Sequence, residues 1–150
     1  MKEVWRPSVT VAAVLERGGS FLLVQEKIEG RLVLNQPAGH LDPGESLVEA
    51  CRREVLEETA HRFEPVGLVG IYRWHYAPKD VTFLRFCFRG RILGTEERPL
   101  DKEIAGLVWL TPAELTARRA EHRSPLVQTC VDDFLAGREF PLEILSREYA

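Results

Sequence analysis

The chain has 150 residues, of which 45% are hydrophobic and 29% charged, with a formal net charge of -3. That size and balance predict one globular domain over residues 1–150 with a substantial core. The acidic balance argues against a nucleic-acid polymer as partner, since surfaces that bind polyanions are basic. The N-terminus, MKEVWRPS, has no apolar signal core, and the apolar run Val9 to Leu15 is far too short to span a membrane. Cys51, Cys87 and Cys130 are widely separated and lack zinc spacing, which predicts reduced thiols in a cytoplasmic protein.

In chain order, Val9 to Leu15 (VTVAAVL) reads as a buried strand. Glu16 to Ser20 is a turn, and Phe21 to Gln25 returns as the second arm of a hairpin. Leu32 to Leu34 is a short strand that leads to Asn35-Gln36-Pro37-Ala38-Gly39, where Pro37 ends regular pairing. A helix follows from Leu47. Ser46 is its N-cap, Glu49 closes a capping box, and no Gly or Pro interrupts Leu47 to Glu58. Val66 to Trp74 is a strand candidate. Val81 to Leu93 alternates, with Phe83, Arg85, Cys87 and Arg89 on one face and Leu84, Phe86 and Phe88 on the other. Leu107 to Leu110 is a short strand. Thr111-Pro112-Ala113-Glu114 starts one helix, and Ser124-Pro125 starts the last, Leu126 to Ala136, stopped by Gly137. The irregular interleaving predicts an α/β fold, a mixed sheet with helices on both faces.

The first helix carries the chemistry. Glu54, Glu57 and Glu58 stand at i, i+3 and i+4, so three carboxylates share one face. At about 6 Å and an effective dielectric of about 20, each close pair repels by roughly 2–3 kcal/mol. Arg53 relieves part of this, and a divalent cation relieves far more. Hard oxygen ligands with an incomplete shell suit Mg²⁺. A bare ExxEE is more simply a solvated acidic face, but here it sits in a longer pattern. Five residues separate Gly39 from Glu45, and seven more lead to Arg53-Glu54-Val55-Leu56-Glu57-Glu58.

That spacing resembles the Nudix box, placed here at residues 39–61. Gly39, Glu45, Arg53, Glu54, Val55, Glu57 and Glu58 match it. Ala60 and His61 depart from its closing Gly and aliphatic residue. Two exits are therefore open: a strained left-handed Ala60, or a helix that runs on through His61. The second is favoured, because Ala is the best helix former. Beyond the box, LNQPAGHLDPGESLVEA, FLRFCF, HRSPLV and FPLEIL resemble the NudJ-type phosphatases of that family.

The resemblance implies a Nudix-like α/β/α sandwich and a phosphohydrolase. Its implied substrates are small molecules: nucleoside tri- and diphosphates, and the hydroxymethylpyrimidine diphosphate precursor of thiamine. It implies Mg²⁺, with Mn²⁺ as a substitute, held by Glu54, Glu57, Glu58 and the Ala38 carbonyl. Gly39, Glu45 and Arg53 support the site. The base is Glu54 or a later carboxylate, for which Glu103 is the candidate and Asp101, Glu96 and Glu97 are rivals. Arg85 and Arg89 either meet phosphate or form a surface salt-bridge row. Trp74 either stacks on a base or packs the rim. Two other readings stay open, a catalytically silent nucleotide sensor and an enzyme that trims RNA ends. The oligomeric state, monomer or homodimer, is open too.

Overall fold

The computed structural model describes residues 1–146. Two sheets organise the fold. The first has the order β5-β1-β7-β6-β9, formed by Ala38–His40, Ser8–Val14, Val81–Thr95, His61–Tyr76 and Phe140–Pro141. It is mixed: β1 runs parallel to β7, with Thr10 opposite Arg85, while its other pairings are antiparallel. The second sheet is antiparallel and joins β2 (Glu16–Arg17), β3 (Ser20–Ile28), β4 (Arg31–Asn35) and β8 (Ile104–Leu110).

The expected hairpin is present but begins later than the Val9–Leu15 run. Gly18 and Gly19, at φ 58° and 83°, turn β2 onto β3, so Arg17 faces Ser20. Such a two-residue turn demands positive φ at both positions. Val9 to Val14 does not pair with Phe21–Gln25. It belongs to the other sheet, because the chain changes sheets at Leu15.

Strand β1 is apolar from Val11 to Val14 because both of its faces are covered there. Ala12 and Val14 point into one core with Val127, Cys130 and Val131 of α3 (Leu126–Leu135). Val11 and Ala13 point into the other with Val48, Cys51 and Val55 of α1 (Leu47–Thr59). Helices thus pack on both faces of the first sheet, the α/β/α arrangement. The short α2 (Pro112–Ala117) follows β8 and carries the Thr111–Glu114 capping box. Ser124 Oγ accepts from Leu126 N–H at 3.1 Å at the start of α3. Among the described residues, no helix is long and apolar enough to cross a membrane.

The end of α1 corrects one expectation. The helix does not run on through His61: Ala60 adopts the left-handed conformation, φ 57° and ψ 23°. His61 is buried and opens β6, where its Nδ1 lies 2.7 Å from the Thr59 carbonyl and its ring meets Trp109 edge-on. A further helical turn would lose that pocket. Burial of the His61 ring therefore outweighs the local helix preference of Ala60.

Candidate active site

The site forms where α1 crosses the edge strand β5. Ser46 and Glu49 cap the helix reciprocally, at 3.0 and 2.9 Å, which fixes its entry. Arg53 then ties helix to loop. Its guanidinium donates to both carboxylate oxygens of Glu45, at 3.0 and 2.7 Å, and to the His40 carbonyl at 3.0 Å. Glu45 in turn accepts from Asp42 N–H at 2.8 Å. The same Arg53 donates to Glu54 at 2.7 Å and approaches Glu57 at 3.4 Å. Its hydrogen bond holds the Glu45 carboxyl below the usual carboxylate range.

Glu54 and Glu58 turn inward onto β5. Glu58 accepts the Ala38 N–H at 2.9 Å. Glu54 lies against Gly39, where a β-carbon would collide with its carboxylate. A third acid arrives from the loop between β7 and β8. Asp101 donates its backbone N–H to the Glu57 carbonyl at 2.9 Å, and this brings its carboxylate in. Oxygens of Glu54, Glu58 and Asp101 all lie within 4.8 Å of one another. Glu57 stays half-buried beside Arg53, outside that trio. Glu103 is exposed and also outside it. Asp101, a rival to Glu103 in the sequence, is thus the later-loop acid that the fold gathers. Ala38 meets the cluster through its N–H.

Burial governs the electrostatics of the trio. It pushes the Glu58 carboxyl up to about 9, opposed by the Ala38 N–H and reinforced by Glu26, Glu54 and Asp101. Burial also raises Glu54, opposed by Arg53. Carboxyls raised by burial, as Glu58 and Glu54 are, are short of positive charge. Three hard oxygen donors at this spacing fit a divalent cation, which would displace those protons.

A cavity of about 100 Å³ adjoins the cluster, with Ala38 and Gly39 on one side and Trp74 and Phe83 on the other. Arg85 lines it. This arginine is 6% exposed and donates to Gln36 at 2.8 Å and Asn35 at 3.0 Å. It forms no salt bridge among the described residues, so it is not part of a surface row. Arg89 does lie outward, 4.3 Å above Phe134 and bonded to the Arg138 carbonyl. Trp74 stacks with both Tyr76 and Phe83, with ring centroids at 5.5 and 5.7 Å. A wider groove of about 560 Å³ continues past Trp74, His122 and Arg123.

Asn35, Gln36 and Glu26 have roles at the site that sequence reasoning did not assign. Glu26 is buried near the end of β3, two positions beyond Val24. Its signal was a charge in phase with the buried Leu22 and Val24 of the same strand.

The pattern of the NUDIX domain matches residues 4–130. The chain belongs to the Nudix family. It is 38% identical over 145 residues to "Phosphatase NudJ" of Escherichia coli strain K12, covering 95% of this chain and 92% of that one. The same values hold for "Phosphatase NudJ" of Shigella boydii. A solved Nudix hydrolase from Nitrosomonas europaea superposes with a TM-score of 0.91 at 49% identity, over 94% of this chain and 97% of that one. The Nudix assignment makes the chain a hydrolase of phosphoric anhydrides.

Proposed function

We propose that the protein is a Mg²⁺-dependent phosphatase that releases orthophosphate from small nucleoside di- and triphosphates and from hydroxymethylpyrimidine diphosphate. The observation that carries this is the gathering of Glu54, Glu58 and Asp101 beside the cavity lined by Arg85 and Trp74. The likeness to phosphatases named NudJ points the same way.

In this reading Glu54, Glu58 and Asp101 hold the cation, and residues 1–150 act as one domain. Mg²⁺, when bound, supplies charge neutralisation to phosphoryl oxygens and acidifies water. Arg53 keeps the Glu45 loop and α1 in register, so the acidic oxygens are placed before substrate arrives. A carboxylate of the cluster, Glu54 or Asp101, takes the proton from the attacking water. Among the described residues Arg85 is a buried cation without a carboxylate partner, and an acceptor on the substrate offsets its desolvation. Asn35 and Gln36 fix its fork. Trp74 borders both the cavity and the wider groove and is held by two aromatic neighbours.

At about 100 Å³ the cavity is smaller than the roughly 150 Å³ that holds benzene in a dry protein core, so it does not enclose a whole base. The base lies instead at its open side, toward the wider groove of about 560 Å³ past Trp74. The reduced, buried state of Cys51, Cys87 and Cys130 agrees with a cytoplasmic enzyme.

The test is phosphate and pyrophosphate release from a panel of nucleotides and pyrimidine diphosphates, with Mg²⁺, with Mn²⁺ and with chelator. Orthophosphate release that chelator stops is expected. A protein that binds nucleotides in Mg²⁺ but releases neither product is a sensor, and the proposal fails.

A further inference from the structure

One ion pair beside the cluster calls for a function. Glu26 Oε2 accepts a hydrogen bond from Arg123 Nη1 at 2.7 Å, and the Glu26 side chain is only 9% exposed. Its other oxygen, Oε1, is shielded from solvent and has no partner among the described residues. A buried carboxylate left half-satisfied lowers stability, and an apolar pair of similar volume would often serve the fold as well. Stability alone is therefore a poor reason for this pair.

Its place in the fold supplies a better one. Strand β4 sets both ends: Glu26 lies opposite Val33, and the Leu34 carbonyl accepts Arg123 N–H at 2.9 Å. Arg123 lines the same cavity as Ala38 and Gly39, the two residues on which Glu58 and Glu54 rest. It also lines the wider groove with Trp74. Among the described residues, Arg123 Nε and Nη2 have no hydrogen-bond partner, and 42% of the side chain is exposed. A guanidinium anchored at one nitrogen, with two more unpaired on a residue that lines the groove, is suited to phosphoryl oxygens.

We propose that Arg123 binds a phosphoryl oxygen of the substrate and that Glu26 is the positioning residue that holds it there. This rests on the phosphatase reading above. The acidic cluster then engages one part of the diphosphate through its cation, and Arg123 meets another part within the same cavity. Glu26 keeps the guanidinium from swinging into solvent, which lowers the ordering cost of binding.

Kinetics of Arg123→Gln, Glu26→Gln and the double variant test this, with a nucleoside diphosphate as substrate. Arg123→Gln should raise KM by about tenfold or more, the scale of one lost charge-assisted hydrogen bond. Calorimetric affinity for a methylene-bridged, non-hydrolysable diphosphate should fall by the same factor. The melting shift caused by Mg²⁺ alone should be unchanged. Glu26→Gln should raise KM less, and the double variant should match Arg123→Gln alone, because positioning has no value once the arginine is gone. Arg123→Lys, which keeps the charge and loses the fork, should fall between wild type and Arg123→Gln, and it serves if the Gln variant does not fold. An unchanged KM in an active Arg123 variant overturns the assignment. Multiplying effects in the double variant overturn the positioning role of Glu26. A wild-type protein that releases no phosphate from any substrate overturns the phosphatase reading itself.

Discussion

Gly39 gives Glu54 the space that its carboxylate occupies. A β-carbon built at position 39 lands on that group, whereas the backbone of Gly39 is not in the left-handed region. The requirement for glycine is thus steric, and it comes from the site. Gly39→Ala should force Glu54 off β5 or shift α1 outward. Turnover is expected to fall at least about tenfold, the loss of one oriented electrostatic partner. The Mg²⁺-induced melting shift should shrink with it. Wild-type turnover with a full melting shift would show that Glu54 needs no contact with β5.

The three gathered carboxylates make a prediction that separates Asp101 from Glu103. Glu58→Gln and Asp101→Asn should each lower turnover by about two orders of magnitude. Each should also reduce the rise in melting temperature that Mg²⁺ produces by binding only the folded cluster. Glu103→Gln should leave both readings near wild type, since Glu103 is exposed and outside the trio. Glu57→Gln is expected to act more weakly than Glu58→Gln, because Glu57 lies beside Arg53 outside the trio. The reverse order, with Glu103 the sensitive position, would move the site into the solvent-facing loop.

Stability of the metal-free protein should fall as pH rises. Burial lifts the Glu58 carboxyl from its ordinary 4.5 to about 9, so between those values the folded state holds a proton that the unfolded chain releases. Stability therefore decreases with pH across that window. Burial raises Glu54 in the same direction. Melting temperatures in chelator at about pH 6 and pH 8.5 should show the drop, and Glu58→Gln should flatten it. Mg²⁺ competes with those protons, so its stabilising shift should be larger at the higher pH. A melting temperature independent of pH in wild type would mean that Glu58 is ionised without help.

Much of the site was legible in the sequence because it is local. The capping box, the shared face of Glu54 and Glu58, and the partners of Arg53 all lie between His40 and Glu58, where helical spacing decides contact. Distant partners were less legible. Val11 to Val14 is covered on both faces, so it shows no alternation that would reveal its parallel partner, β7. The choice of Asp101 over Glu103 depends on one backbone hydrogen bond to Glu57, made across a loop whose spacing has no period. Arg85 was expected on a strand face with Arg89. What separates them is that Arg85 faces Asn35 and Gln36 within the cavity, while Arg89 lies at the rim over Phe134.

The exit of α1 gives a sign that can be measured. Ala60 is left-handed, and its N–H still donates to the Leu56 carbonyl at 2.9 Å. Its own carbonyl accepts from Glu96 N–H at 2.9 Å, which fixes the turn from both sides. A β-carbon in that conformation crowds the following carbonyl and costs about 1 kcal/mol. Glycine removes the crowding but adds freedom to the unfolded chain, which offsets part of the gain. Ala60→Gly should therefore stabilise the protein by a few tenths to about 1 kcal/mol, the opposite of its effect inside a helix. Denaturant unfolding should show a higher midpoint at unchanged slope. A lower midpoint would mean that in solution Ala60 continues the helix and that His61 leaves its place beside Trp109.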